Sequence, residues 1–116
     1  MIQRAVTECT ISAAHHLPNY SGKCKAVHGH SWKIVVEIEG EVNEETGMVL
    51  DFVKVKEVIN KYDHTDLNNF LENPTAENLV ELFLDELKKV YPEYESIRIK
   101  VYESEKSYTE GFIRRI

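Results

Sequence analysis

Apolar and polar residues alternate at both ends of the chain, and two helical stripes lie between; no other feature constrains the fold as tightly. From Ala5 to about His15, Cys9, Ile11, Ala13 and His15 share one face, and Thr10, Ser12 and Ala14 share the other, which is strand periodicity. Pro18 to Gly22 reads as a loop, Ser31 to Gly40 as a second strand rich in β-formers (Trp32, Ile34, Val35, Val36, Ile38), and Asn43 to Gly47 as a turn. Asp51 then caps a helix from Phe52 to about Tyr62, with Phe52, Val55, Ile59 and Tyr62 in one stripe. Asn73-Pro74-Thr75 opens a second helix from about Ala76 to Val90, with Leu79, Leu82, Phe83, Leu87 and Val90 on its apolar face. Pro74 is read there as a first-turn proline, and Pro92 lies just beyond the helix end. Ser96 to Glu103 alternates again, and Tyr108 to Ile116 is the last strand, with Gly111 marking a bend. The order β-β-α-α-β-β predicts an α+β fold, a four-stranded antiparallel sheet with two helices on one face.

The chain has 116 residues, which suits a single domain over 1–116 and leaves a thin stability margin. Open sheet edges would favour assembly with further copies. A net charge of -6 with no basic run argues against nucleic acid. No signal peptide and no apolar stretch of about 18 residues is present, so a cytoplasmic protein without membrane contact is expected. Its two cysteines, Cys9 and Cys24, are then expected as reduced thiols. Cys9, on an apolar strand face, reads as a small buried hydrophobe.

Four of the five histidines fall between residues 15 and 30. In His28-Gly29-His30 the two imidazoles are two residues apart and point to one face of an extended backbone, with Gly29 leaving the other face open. His15 belongs to the face of Ile11 and Ala13, whereas His16 points away. If the two strands pair, His15, His28 and His30 converge. Three neutral imidazoles suit Zn²⁺ and leave a fourth position for water or substrate, as in catalytic sites.

Cys24 precedes His28 by four residues, between Lys23 and Lys25, which favour its thiolate. Two readings follow from the spacing. Cys24 is a fourth ligand that closes a structural zinc site, or a reactive base just outside the metal shell.

Six ordered motifs carry a family resemblance: Ser12-Ala13-Ala14-His15-His16-Leu17, Cys24-x-x-x-His28-Gly29-His30, Gly47-Met48-x-x-Asp51-Phe52, Asp63-His64-x-x-Leu67-Asn68, Pro74-Thr75-x-Glu77-Asn78 and Glu103. From about residue 5 to 110 the chain resembles the 6-pyruvoyltetrahydropterin synthase family. The three residues between cysteine and His-Gly-His look like its 6-carboxytetrahydropterin synthase (QueD) branch of queuosine biosynthesis. Ile11 stands where the family often has an aromatic residue.

The resemblance implies zinc on His15, His28 and His30, with Cys24 as general base. It implies Asp63 and His64 as the second half of the proton-transfer apparatus, contributed by a neighbouring subunit, and Glu103 as the pterin anchor with Thr75 and Glu77 nearby. It further implies the tunnelling fold (T-fold), a hexamer built as a dimer of trimers with active sites at subunit interfaces, and 7,8-dihydroneopterin triphosphate as substrate. The products of the carboxy branch are 6-carboxytetrahydropterin, acetaldehyde and triphosphate; the pyruvoyl alternative stops before carbon–carbon cleavage.

Plainer readings stand beside these. Asp63 can hold a turn, Thr75 can cap a helix, Glu77 suits a first helical turn, and Glu103 can be a solvated strand-end carboxylate. Lys23, Lys25, Arg114 and Arg115 could meet the triphosphate or simply face solvent. A structural zinc module and a pterin-binding protein without turnover are the rival functions.

Overall fold

The computed structural model describes residues 1–115. Its elements run β1 (Ile2–His15), β2 (His28–Glu41), α1 (Phe52–Asn60), β3 (Thr65–Asp66), α2 (Ala76–Val90), β4 (Ser96–Tyr102) and β5 (Tyr108–Arg114). The topology is an α+β, T-fold-like one, with a sheet in the order β3-β1-β2-β4-β5.

Five strands, not four, make the sheet, and it is mixed rather than wholly antiparallel. The addition is β3, two residues that pair parallel to β1 at Ala13–Thr65 and Ala14–Asp66. Two residues carry no periodicity, so nothing in the sequence announces such a strand. Both opening strands also run longer than the alternation predicts. β1 begins at Ile2, and β2 takes in the whole His-Gly-His segment. The predicted end of the last strand, Ile116, lies outside the described residues.

The helices start where their caps place them. The Asp51 carboxylate accepts from the Val53 amide, and the Thr75 side chain accepts from the Asn78 amide. Thr75 as cap puts Pro74 before the helix instead of in its first turn. The buried stripes are Val55, Val58, Ile59 and Tyr62 for α1, and Ala76, Leu79, Val80, Phe83, Leu84 and Leu87 for α2. Phe52 and Val90, at opposite ends of their helices, stay exposed.

One face of the sheet meets these helices through Cys9, Ile11, Trp32, Ile34, Val36, Ile38, Ile97, Ile99 and Val101. Gly111 makes no bend there. A Cβ on it would lie 2.6 Å from Val80 Cγ1, so its bare backbone admits the close approach of α2 to β5. The opposite face mixes charged and polar residues with exposed apolar ones such as Val6 and Phe112. Its cross-strand rows include Arg4–Glu39, Val6–Glu37, Thr10–Lys33 and Arg98–Phe112.

Candidate metal centre

The register of β1 on β2 builds the site. His15 lies directly opposite His28, and Ala13 opposite His30, so residues 15, 28 and 30 share the helix-side face at one end of the sheet. One ligand atom from each of the three histidines lies within 4.8 Å of the others. His15 is fully buried, and the other two are half-buried. Among the described residues this is the one group of three or more metal-ligating side chains so close together. His16 and Cys24 lie outside it.

Ring partners fix the tautomers. His15 Nδ1 is 2.8 Å from the Pro74 carbonyl, and His28 Nδ1 is 2.8 Å from the Ala26 carbonyl. A carbonyl only accepts, so both Nδ1 atoms carry the proton and both Nε2 atoms carry a lone pair. Those two Nε2 atoms are 3.0 Å apart. Two lone pairs at that distance repel unless a cation sits between them. With a zinc–nitrogen bond of about 2.0–2.1 Å, tetrahedral ligands lie about 3.3 Å apart, close to the observed separation.

The third ring completes the donor set. His30 Nε2 is shielded from solvent and has no hydrogen-bond partner. Glu103 Oε1 is 3.5 Å from it, an ion-pair distance that lacks hydrogen-bond geometry. Burial holds the His30 pKa below its ordinary value, partly opposed by the Glu103 charge, with His15 and His28 reinforcing the depression. A neutral imidazole is the form a metal needs. The residues present therefore fit a zinc ion.

Trp32 walls the site on the core side, its ring edge-on to His15 at 4.9 Å and to His30 at 5.1 Å, with its indole N–H on the Ala13 carbonyl. In the sequence Trp32 reads only as a strand former. Its place two residues after His30 was the signal that it shares the histidine face.

Cys24 lies in a 3₁₀ turn, Lys23–Lys25, as a half-buried free thiol. The Cys24 carbonyl accepts from the Leu17 amide at 2.8 Å, which ties this turn to the end of β1. Cys9 is buried in the core with its thiol pKa raised, first by desolvation, and Glu8 adds to the rise against an opposing pull from Lys56.

Asp63 and His64 are stapled to the outer edge of β1. Asp63 Oδ1 accepts from the Ser12 amide at 2.8 Å, and the His64 amide donates to the Ser12 carbonyl. The other Asp63 oxygen lies 3.6 Å from His64 Nε2, and the His64 side chain is 82% exposed. His64 adopts φ 59°, a left-handed conformation uncommon outside glycine. Asn68 grips the same strand end by both atoms of its carboxamide, accepting from the His16 amide at 2.9 Å and donating to the His16 carbonyl at 3.0 Å.

A shallow depression of ≈ 530 Å³ lies at this end of the sheet next to His64, but its lining residues Ser12, Ala14, Gly29 and Ser31 alternate onto the face opposite the histidine trio. The larger cavity, ≈ 660 Å³, is at the far end of the molecule beside Glu41, Tyr91 and Glu95 and contains none of the histidines. Thr75 is next to Pro74 and so near His15, whereas Glu77 is exposed on the first turn of α2. Arg114 pairs across from Ser96, which pairs with Glu39, so it stands nine residues along β2 from His30, about 30 Å away. Arg114 and Arg115 do not reach the histidines of their own chain.

The fold and this trio define an α+β protein with a three-histidine candidate metal centre at the end of its sheet. The family model described as 6-pyruvoyl tetrahydropterin synthase matches residues 5–112, and the chain belongs to this 6-pyruvoyl/6-carboxytetrahydropterin synthase family. It is similar to an Archaeoglobus fulgidus protein provisionally named 6-carboxy-5,6,7,8-tetrahydropterin synthase, at 42% identity over 91% of this chain and 90% of that one. It is also similar to a Pyrococcus furiosus dihydroneopterin monophosphate aldolase, at 31% identity over 79% and 81%. Among solved structures it resembles 6-pyruvoyl tetrahydropterin synthase of Caenorhabditis elegans, with a TM-score of 0.75, 26% identity and coverage of 100% and 97%.

Proposed function

We propose that the chain is a zinc-dependent lyase of the pterin side chain that converts 7,8-dihydroneopterin triphosphate and one water to 6-carboxytetrahydropterin, acetaldehyde and triphosphate. The observation that carries the metal-dependent class is the convergence of three imidazoles with two Nε2 lone pairs 3.0 Å apart. Zinc bound there supplies Lewis acidity toward the side-chain hydroxyls of the substrate.

The protein's own residues do the rest. Cys24, outside the ligand cluster, takes a proton from a side-chain carbon as its thiolate. His64, beside the Asp63 carboxylate, is the partner in proton transfer, and its exposure suits a residue serving a neighbouring subunit's site. Glu103 accepts from the amino group and ring N–H of the pterin, a charge-assisted pairing. In this reading Thr75 and Glu77 also contact the pterin, and the active sites lie at subunit interfaces of a hexamer of two trimers.

The comparisons divide on the product. The family description and the worm structure carry the pyruvoyl name and weigh toward elimination of triphosphate without carbon–carbon cleavage. The Archaeoglobus relative carries the carboxy name at higher identity, and that supports the product proposed here for a queuosine-type pathway. The Pyrococcus aldolase is a third reading, with a monophosphate substrate. The test is to incubate the zinc-loaded protein separately with the triphosphate and the monophosphate and to identify every product by mass spectrometry. Acetaldehyde and 6-carboxytetrahydropterin are expected from the triphosphate. A pyruvoyl product without acetaldehyde selects the second reading, and turnover of the monophosphate alone selects the third. No turnover of either overturns the enzyme.

A further inference from the structure

We propose that Asn78 is a positioning residue for the metal centre: its carboxamide holds the Asn73–Thr75 turn that presents the Pro74 carbonyl to His15. The inference rests on reading the histidine trio as a metal site, and it adds a residue that touches neither metal nor substrate.

The chain of contacts is short. His15 is completely buried, and the one hydrogen bond that orients its protonated side is to the Pro74 carbonyl at 2.8 Å. The direction of that carbonyl decides which ring nitrogen of His15 keeps its lone pair. Pro74 sits at the centre of a three-residue turn, closed by the Thr75 amide on the Asn73 carbonyl at 2.9 Å. Asn78 Nδ2 donates to that same Asn73 carbonyl at 2.7 Å. On the other side, Thr75 is fixed as the helix cap by accepting from the Asn78 amide at 3.1 Å. Pro74 is thus bracketed by two residues, and Asn78 binds both.

Only one of these two bonds depends on what residue 78 is. The bond to Thr75 uses the backbone amide and survives any side chain except proline. The bond to Asn73 needs a side-chain donor of this length. Aspartate has the same shape without the donor, and it sits at the third helical position, where a negative charge is favoured by the helix dipole. Asn78→Asp therefore separates the two roles. A residue that merely stabilised α2 would accept aspartate, whereas a residue that holds the Asn73 carbonyl would not.

The experiment measures wild type, Asn78→Asp and Asn78→Ser in two ways. Zinc affinity is read by competition with a chromophoric chelator. The His15 tautomer is read by long-range proton–nitrogen NMR on the metal-free, histidine-labelled protein. Wild type is expected to show His15 protonated at Nδ1. The variants are expected to show a mixture of tautomers and zinc affinity weaker by about tenfold. The proposal is overturned if the variants bind zinc within about twofold of wild type, a change below that expected for an outer-shell contact, and keep His15 protonated at Nδ1. If circular dichroism shows Asn78→Asp unfolded, Asn78→Ser decides by the same two readouts. If wild type binds no zinc, the metal reading fails, and the tautomer comparison still decides the role of Asn78.

Discussion

His15 Nε2 and His28 Nε2 face each other at 3.0 Å while both rings donate their Nδ1 protons to backbone carbonyls. A cation between them removes the repulsion, so zinc binding should stabilise the fold. At a free zinc concentration of a hundred times Kd the gain is about 2.7 kcal/mol, or about 10 °C in Tm for a chain of this size. His28→Ala should abolish most of that increment without unfolding the chain, since His28 is only half-buried. Thermal melts with zinc and with chelator check it; equal melting points for wild type in both would contradict the site.

Cys24→Ala separates the enzyme from a zinc-stapled module. As a base outside the ligand cluster, Cys24 should be dispensable for metal, and its loss should lower kcat by about 100- to 10,000-fold. Zinc content by atomic absorption and turnover of the same preparation give the answer. Loss of zinc together with unfolding would make Cys24 a ligand.

The metal-free chain should lose stability on mild acidification. Burial holds the His30 pKa below the ordinary histidine value of 6.5. The unfolded chain takes up this proton near pH 6.5, whereas the folded chain takes it up only at lower pH. Over that window the unfolded state binds more protons, so stability rises with pH and levels off above it. Glu103 opposes the depression, so Glu103→Gln should move the folded-state protonation to still lower pH and deepen the loss. Melting points of both proteins in chelator from acid to neutral pH test this, and a flat profile through the window in both would refute it.

Gly111→Ala should destabilise even though alanine is ordinarily the better strand residue. The new Cβ would lie 2.6 Å from Val80 Cγ1, inside the interface of α2 and β5. Overpacking there should cost about 1–3 kcal/mol, more than the about 0.5–1 kcal/mol that replacing glycine returns. Val80→Ala in the same chain should recover part of the loss, a coupling that urea denaturation of the four proteins would reveal.

The sequence by itself determined what depends on short-range periodicity. Strand alternation put residues 28 and 30 on one face and chose His15 over His16. Helical spacing, with Asp51 and Thr75 as caps, located both helices and the centres of their buried stripes. It also placed Phe52 and Val90 inside, counted the half-buried Leu82 and missed Val80 and Leu84. The tertiary structure decided whatever runs through backbone carbonyls or joins distant segments. The acceptors of His15 and His28 are carbonyls of Pro74 and Ala26, and a carbonyl's direction is written in no side chain. β3 is two residues long and exists because β1 offers it an edge. The bond from Ser12 to Asp63 spans 51 residues, that from His16 to Asn68 spans 52, and Glu103 meets His30 only after β2 and β4 have paired. Local pattern fixes which way a side chain points; only the folded chain fixes what it points at.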